Sequence, residues 1–343
     1  MRFLVMTMIL LPSLAAACVT ALTGDQAPKR ALAPIAQALP IADVENEMRA
    51  RAERLLDTTP DNPEKGYEVF LAQGYRLPNT MLEIGRLREI TFRGVQEGSG
   101  QDRDLDRFDP YYYHLICWDK KKKAVTGAYR MGKVDEILKR FGPDGIYSFT
   151  FFDFRDLIEN EFATRTLELG RSFVVPEYQR GITLSLLWAG IGRFLTRNPR
   201  YRHLIGPVSI SGAYLDDSKQ VMMQFLMENL AHPRANSVTP RQPPRLSTTM
   251  SDQDLRRLLD PIDSVTDLEK ILRETEGDRQ AKIPPLIKLY VEMNVRFLGF
   301  NWDEDFNTLD GLIWTDVSQL SAPTLSRYMG EDGARAYLNA QAR

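Results

Sequence analysis

The alternation of apolar and polar positions predicts strands and helices in turn along the middle of the chain. Period-two runs rich in β-branched and aromatic residues predict strands over residues 66–73, 111–118, 124–131, 166–175, 203–211 and 312–317. Apolar residues three and four apart predict helices over residues 79–95, 181–196, 216–230 and 284–298. Asn79 is the expected N-cap of the first helix. Because residues 111–131 form a hairpin among otherwise alternating elements, the sequence predicts an α/β fold with a mixed β-sheet flanked by helices.

The same pattern divides the 343 residues into five stretches. These are an apolar leader at 1–18, a linker or arm at 19–65, a core at 66–231, a polar and partly helical insertion at 232–282, and the C-terminal part of the fold at 283–343. The leader is apolar from Phe3 to Ala17 and precedes Cys18, so it could be a signal peptide, a lipoprotein signal, a membrane-surface anchor or the result of a start codon set too far upstream. It is shorter than the roughly 20 apolar residues of a membrane-spanning helix.

Composition narrows the classes of function. The formal net charge is −2 and the sequence pI is about 6.1, so no whole-protein field attracts nucleic acid. Two cysteines and three histidines lie dispersed along the chain, so neither a disulfide framework nor a metal site is expected. No nucleophile-elbow motif is present, which argues against a covalent enzyme intermediate.

The strand at 166–175 carries two charged residues, Glu168 and Arg171, in a largely apolar run. A charge in the interior requires a partner. In a regular strand these side chains point to opposite faces of the sheet, so both can serve one site only if the strand is bulged. The two could form an ion pair that joins sheet to helix, or a catalytic carboxylate with the cation that orients it.

An acidic loop with Asp104, Asp106 and Asp109 precedes the predicted hairpin. Three carboxylates in six residues suit an ammonium group or form a solvated loop, and their spacing does not match an EF-hand calcium loop. Two arginines could pair with this loop, because Arg88 lies on the first helix and Arg130 in the second hairpin strand.

Two further features complete the candidate chemistry. Phe92 shares a helix face with the arginine four residues before it. The turn that leads from the strand at 166–175 into the next helix is a candidate phosphate site, because a helix N-terminus presents free N–H groups. Its residues are Gln179, Arg180, Gly181 and Thr183.

The order and spacing of these residues resemble those of the acyl-homoserine-lactone synthases, which share the GNAT fold and use acyl carrier protein as donor. The first acidic position there is usually Glu, whereas here it is Asp104. A closer resemblance, over most of residues 35–320, is to the hemolysin-like acyltransferases, which include the N-acyltransferases that start ornithine- and glycine-lipid synthesis. It is carried by the stretches LREITFRGVQEGSG, DLDRFDPYYYHLICWD, GAYRMG, ELGRSFVVPEYQ, LLWAGIGRFL, LIGPVSIS and PPLIKLYVEMN.

The resemblance implies a GNAT-like sheet with a helical insertion before the last helix and strand. It implies an N-acyltransferase that moves a fatty acyl group from acyl carrier protein, or from coenzyme A, to the amine of an amino acid such as ornithine or glycine. No cofactor stays bound. Glu168 is the expected proton acceptor, oriented by Arg171, with Arg130 and the acidic loop around the substrate. Thr183 replaces the second small residue of the coenzyme A turn in acetyl-CoA-dependent GNAT enzymes, which favours the carrier protein as donor.

The resemblance also bears on partners and location. No His-x4-Asp motif of a fused O-acyltransferase is present, so a second acylation requires a separate protein. The expected location is the cytoplasm, associated with the inner membrane. Two alternatives remain open: a signal-forming enzyme of the acyl-homoserine-lactone synthase type, and an exported hemolysin-like protein or lipoprotein without this activity.

Overall fold

The structure is a computed structural model that describes residues 32–58, 66–158, 163–262 and 264–342. The predicted leader at 1–18 lies outside the described residues, as does the first part of the predicted arm. The strands are β1 (Glu53–Asp57), β2 (Tyr67–Gln73), β3 (Tyr113–Asp119), β4 (Ala124–Lys133), β5 (Phe152–Asp153), β6 (Thr166–Val174), β7 (His203–Ser211), β8 (Thr239–Pro240), β9 (Arg296–Asp303) and β10 (Thr308–Asp316).

Helices cover both faces of the sheet that these strands form. They are α1 (Ile41–Arg51), α2 (Pro78–Arg93), α3 (Val134–Phe141), α4 (Arg155–Ile158), α5 (Thr183–Arg197), α6 (Asp216–Leu230), α7 (Asp252–Leu259), α8 (Val265–Glu276), α9 (Pro285–Glu292), α10 (Ala322–Met329) and α11 (Glu331–Gln341). Within the described ranges, none of these helices combines the length and apolar character needed to cross a bilayer.

The described residues contain one large sheet with the strand order β1-β2-β3-β4-β6-β7-β10-β9. Neighbouring strands run antiparallel, except that β6 and β7 are parallel. The β6–β7 pairing covers only Thr166–Glu168 and His203–Ile205, and it stops before the second half of each strand. The predicted mixed sheet is confirmed, and its central strands separate after a short parallel contact.

Apolar side chains of one strand serve both faces of this sheet. In β2, Val69 and Leu71 belong to the same core as Leu187 of α5. Phe70 belongs to a second core with Ile84 of α2. Because the strand is buried on both faces, its sequence is a nearly continuous apolar run.

The helix predicted over 79–95 is confirmed as α2, but Asn79 is not its N-cap. The helix begins at Pro78, whose ring fits the first turn. The carboxylate of Glu47, on α1, accepts hydrogen bonds from the N–H groups of Asn79 and Thr80 at 3.2 and 2.7 Å. A side chain distant in sequence therefore caps the helix, which local sequence cannot reveal.

The C-terminal part differs from the prediction. The helix predicted over 284–298 ends at Glu292, and residues 296–303 form β9. Asn294 adopts a positive φ of 54° immediately after the helix, a conformation that ends helices. The strand predicted over 312–317 begins earlier, at Thr308, so β9 and β10 form an unpredicted hairpin whose turn includes Asn307 at φ 52°. Residues 41–57 of the predicted arm form α1 and β1.

Candidate active site

The acidic loop folds against α2 and is held by its own hydrogen bonds. The N–H of Asp104 donates to the carbonyl of Gly85 over 2.9 Å, and a β-carbon at Gly85 would collide with the loop. The carboxylate of Asp106 accepts from the N–H groups of Phe108 and Asp109 at 2.9 and 3.1 Å, a turn that aspartate favours. Asp104 and Asp109 are consequently buried.

Arg88 and Arg130 bind this loop from α2 and β4. Arg88 Nη1 lies 2.8 Å from Asp109 Oδ1. Arg130 Nη1 lies 2.6 and 2.7 Å from the two carboxylate oxygens of Asp106 and 3.2 Å from Asp109 Oδ1. Both arginines are fully buried, so the predicted pairing is confirmed. The solvated-loop alternative is wrong for Asp104 and Asp109.

A β-bulge brings Arg171 to the same loop. Ala128 of β4 pairs with Phe173 of β6, and Arg130 pairs with Gly170, so β6 carries one extra residue in this interval. Arg171 lies in the bulge with a φ of 47°. The condition under which Glu168 and Arg171 can serve one site, a bulged strand, is therefore met.

The bulge places Arg171 between acidic and aromatic groups. Its Nε lies 3.7 Å from Asp104 Oδ2, and its Nη2 lies 3.6 Å from Asp106 Oδ2. Its guanidinium also lies 4.3 Å from the ring centre of Phe306 and 5.0 Å from that of Tyr147. Three arginines and three aspartates thus form one set, which we call the Arg–Asp network: Arg88, Arg130, Arg171, Asp104, Asp106 and Asp109.

The aspartates of the network have different protonation tendencies. Burial raises the pKa of Asp109, but Arg88 and Arg130 outweigh it and hold that pKa well below its usual range. Burial and Arg130 oppose each other at Asp106 in the same way, and its pKa is also lowered. Asp104 has a raised pKa because burial outweighs the attraction of nearby guanidinium groups.

Glu168 lies beside this network in a closed environment. Its carboxylate accepts hydrogen bonds from the hydroxyl of Tyr112 and from the N–H groups of Tyr147 and Ser148, the last two at 3.1 and 2.5 Å. Burial raises its pKa against the hydrogen bonds from Ser148 and Tyr112. Glu168 is 1% exposed and does not line the adjacent cavity.

A cavity of about 400 Å³ lies where β6 and β7 no longer pair. Residues 170–174 of β6 and 207–209 of β7 both line it. Most of its wall is apolar, with the side chains of Phe92, Val95, Leu184, Val208 and Leu286 among others. Its charged lining residues are Glu97, Arg171, Asp303 and Asp310.

Three acidic residues of this wall were missed by sequence reasoning: Glu97, Asp303 and Asp310, which we call the cavity carboxylates. Burial and then Asp310 raise the pKa of Glu97 to about 7. Burial and then Asp303 raise the pKa of Asp310 to about 6. One signal was present in the sequence, since Asp310 interrupts the apolar run TLDGLIWT as Glu168 interrupts its own strand. Asp303 lies in the strand that was not predicted.

Of the four residues predicted to form a phosphate site, one lines the cavity. Gln179 lines the cavity, and Arg180 is exposed. Gly181 belongs to the turn that leads into α5. Thr183 is buried, and its hydroxyl donates to that of Thr126 over 3.1 Å. Phe92, predicted beside Arg88, lines the cavity as well.

In the part of the chain that the structure describes, no group of three or more His, Cys, Asp or Glu side chains is arranged to hold a metal ion.

Known proteins resemble this chain over most of its length. A family model described as an acetyltransferase (GNAT) domain matches residues 87–189, which contain the whole Arg–Asp network, Glu168 and the predicted phosphate turn. A glycine N(alpha)-acyltransferase of Bacteroides thetaiotaomicron is 30% identical over 256 residues, covering 71% of this chain and 75% of that protein. The chain belongs to the glycine and ornithine N-acyltransferase family.

Another relative of this N-acyltransferase is an L-ornithine N(alpha)-acyltransferase of Agrobacterium fabrum, 29% identical over 252 residues, covering 71% of this chain and 78% of that protein. Among solved structures, a CoA-dependent acyl-homoserine lactone synthase matches 74% of this chain and 89% of its own, at 13% identity and a TM-score of 0.34. The chain is therefore an acyltransferase with a GNAT domain, and the predicted fold class and family are confirmed.

Proposed function

We propose that this N-acyltransferase moves a fatty acyl group from the thioester of acyl carrier protein to the α-amine of glycine or L-ornithine, as the first step of aminolipid synthesis. Support for the acceptor comes from the relatives named glycine and L-ornithine N(alpha)-acyltransferase, which match at 30% and 29% identity. Because the two identities are nearly equal, both acceptors belong to the proposal.

The observation that carries the proposal is the cavity between β6 and β7. Its apolar wall suits a pantetheine arm and a fatty acyl chain, while its charged residues suit an amino acid. An arginine and several carboxylates in one cavity match a substrate that has both a carboxylate and an ammonium group.

In the proposed reaction the acceptor nitrogen attacks the thioester carbonyl and the pantetheine thiol leaves. The β6 strand stops pairing with β7 after Glu168, so its following N–H groups are candidates to stabilise the oxyanion. The sequence-based hypothesis assigns proton acceptance to Glu168, with Arg171 and Arg130 as orienting groups. The buried carboxylate also accepts from the N–H groups of residues 147 and 148, which supports a positioning role beside the cavity.

The proposed donor is acyl carrier protein, with coenzyme A as the alternative. The lysine turn Lys120–Lys123 joins β3 to β4, and Lys122 Nζ lies 4.9 Å from the ring centre of Tyr178, a lining residue of the cavity. This positive turn beside the cavity suits the acidic surface of a carrier protein. Lys120 and Lys123 of this turn also pair with Asp57 and Glu45, at 3.7 and 3.5 Å. In the basic segment at residues 193–202, three arginines pair with acidic residues of this chain. These are Arg197, Arg200 and Arg202.

We also propose that the enzyme acts in the cytoplasm at the inner membrane, and that a separate O-acyltransferase adds any second chain. The product of the proposed reaction carries a fatty chain, which partitions into a bilayer. Cell fractionation tests the location: recovery in the periplasm or outside the cell would contradict it.

The direct test uses the purified full chain with palmitoyl carrier protein or palmitoyl-CoA as donor, and glycine or L-ornithine as acceptor. Mass spectrometry is expected to find an N-palmitoyl amino acid, formed faster from the carrier protein. Absence of an amide from all four pairings would overturn the proposed function.

A further inference from the structure

The cavity carboxylates bear on how the acceptor amino acid is bound and deprotonated, an inference that rests on the proposed function. They come from three places in the chain: Glu97 follows α2, Asp303 ends β9, and Asp310 lies within β10. All three line the cavity together with Arg171. The bulge in β6 and the separation of β6 from β7 therefore bring one cation and three acids to a single space of about 400 Å³.

The charges in this wall are not balanced. Among the described residues, no lysine or arginine forms an ion pair with Glu97, Asp303 or Asp310, whereas Arg171 is the one cationic residue that lines the cavity. Asp310 is only 3% exposed. Like charges gathered in a poorly solvated space become stable by taking up a proton or by binding a cation. An α-amino acid supplies an ammonium for the acids and a carboxylate for the guanidinium.

The backbone holds Glu97 in place while leaving its carboxylate open. Gln96 adopts a φ of 61°, and the N–H of Glu97 donates to the carbonyl of Phe92 over 2.8 Å. The loop that follows is fixed by the buried carboxylate of Glu89, which accepts from the N–H groups of Ser99 and Gly100 at 3.0 and 2.9 Å. Within the described residues, no hydrogen bond to the carboxylate of Glu97 is found. It is therefore available to a ligand.

Asp310 is held differently. Its Oδ1 accepts from the hydroxyl of Thr308 over 3.0 Å, which fixes the carboxylate on β10. We propose that Asp310 binds the ammonium of the acceptor amino acid, that Arg171 binds its carboxylate, and that Glu97 removes the proton from the nitrogen.

The electrostatic surroundings of Glu97 and Asp310 support these separate roles. Glu97 is faced by Asp310 and by Tyr214. Asp310 is faced by Asp303, Arg171 and Tyr147, and its carboxylate also accepts a hydrogen bond from Ser209. Burial and Asp310 place the pKa of Glu97 at about 7, close to where a general base works best at neutral pH. Glu168, by contrast, is fully enclosed and already accepts three hydrogen bonds from neighbouring protein groups.

The proton and bond changes balance. The ammonium transfers one proton to the carboxylate of Glu97, and the neutral amine forms the C–N bond with the thioester carbon. As the C–S bond breaks, the second proton leaves nitrogen and ends on the thiolate sulfur. The products are an amide and a thiol, and Glu97 releases its proton to water.

Steady-state kinetics of the full chain with palmitoyl carrier protein tests the assignment. Glu97→Gln is expected to lower kcat by about 100-fold or more and to remove the acidic limb of the pH–rate profile near pH 7. Glu97→Asp should restore part of the rate. Asp310→Asn is expected to raise the KM for glycine or L-ornithine by about tenfold or more. Glu304→Gln, an exposed carboxylate that does not line the cavity, is the matched control and should behave as the unsubstituted enzyme.

Calorimetric binding of glycine and L-ornithine separates this inference from the proposed function. Binding to the unsubstituted chain that is lost in Asp310→Asn would support the ammonium site even if no acyl transfer occurred. An active enzyme whose Glu97→Gln variant keeps both the rate and the acidic limb would overturn the base assignment. Equal affinity of the unsubstituted chain and Asp310→Asn for both amino acids would overturn the ammonium site.

Discussion

The Arg–Asp network and the cavity carboxylates both concentrate charge near β6, but they are balanced differently. In the network, three guanidinium groups face three carboxylates, and Arg88 and Arg130 make contacts of 2.6 to 3.2 Å. In the cavity, three carboxylates share a wall with Arg171 alone among described cationic residues. The paired arginines outweigh burial and lower the pKa values of Asp106 and Asp109. Burial, and then a neighbouring carboxylate, raise the pKa values of Glu97 and Asp310.

The two groups therefore differ in what their charges can do: those paired within the protein hold the fold, and those without an ion-pair partner can bind a ligand. Within the network, Arg88 and Arg130 form close ion pairs with Asp106 and Asp109 and fix the acidic loop relative to α2 and β4. Asp104 and Arg171 are 3.7 Å apart, and among the described residues Asp104 Oδ2 and Arg171 Nε form no hydrogen bond. Among the described residues, the cavity carboxylates form no ion pair with a lysine or arginine. Groups with perturbed pKa values and no such partner are typical of a substrate site before substrate binds. Arg171 belongs to both groups, so the network positions the cation of the cavity.

Breaking the network at its centre is expected to have the largest effect. Arg130→Met leaves Asp106 and Asp109 with a buried charge and one partner fewer, which should cost about 3–5 kcal/mol in the free energy of unfolding. Urea denaturation measures this loss. Arg335→Met breaks an exposed pair with Asp332 and should cost less than about 1 kcal/mol. A loss at Arg130 as small as in this control would show that the network is not a structural element.

The opposite behaviour is expected for Asp310, because its burial destabilises the charged form. Its pKa rises from an ordinary value of 3.8 to about 6 in the fold, so the fold binds more protons than the unfolded chain between these values. The stability contributed by protonated Asp310 is complete below about pH 4 and is lost as pH rises through about 6. Asp310→Asn should therefore gain about 3 kcal/mol relative to the unsubstituted chain as the pH rises through this window.

Urea denaturation at a series of pH values measures that gain. Asp305→Asn, at an exposed position on the same hairpin, serves as the control and should show no such pH-dependent gain. A difference between Asp310→Asn and the unsubstituted chain that stays constant from pH 4 to pH 7 would contradict the raised pKa.

Glu168→Gln tests whether Glu168, as the sequence predicts, or Glu97 of the cavity is the general base. An amide nitrogen cannot accept the hydrogen bonds that the carboxylate receives, so we expect a loss of about 1–3 kcal/mol in stability. The rate should fall through displacement of Tyr147, while the acidic limb of the pH–rate profile remains. If the acidic limb is lost in Glu168→Gln but kept in Glu97→Gln, then Glu168 is the base.

Much of this site could be predicted from the sequence because its residues break local patterns. Charged residues within apolar strands marked Arg130, Glu168 and Arg171, and closely spaced acids marked the loop. Their pairing followed from the rule that buried charges need partners. The bulge could be stated only as a condition, since strand parity alone does not show where an extra residue lies.

The cavity carboxylates could not be found in this way. Glu97 lies in a polar loop where an acid is ordinary in composition, and Asp303 lies beyond a helix that was predicted to run too far. Their common position depends on the separation of β6 and β7, which is a property of the assembled sheet. Local sequence also cannot show that a carboxylate lacks a partner, because partners such as that of Glu47 come from distant parts of the chain.

The smallest expected effect concerns the donor and lies at the lysine turn outside both charged groups. Lys122→Glu should raise the KM for palmitoyl carrier protein by about three- to fivefold, because an exposed charge contributes little to binding and acts mainly on encounter. Added salt should reduce the difference, since exposed charges are screened. Lys139→Glu, an exposed lysine on α3, is the matched control. An equal rise in the KM for palmitoyl-CoA would mean that Lys122 acts on the donor's phosphate, which both donors carry, and that the protein surface of the carrier is not what this turn binds.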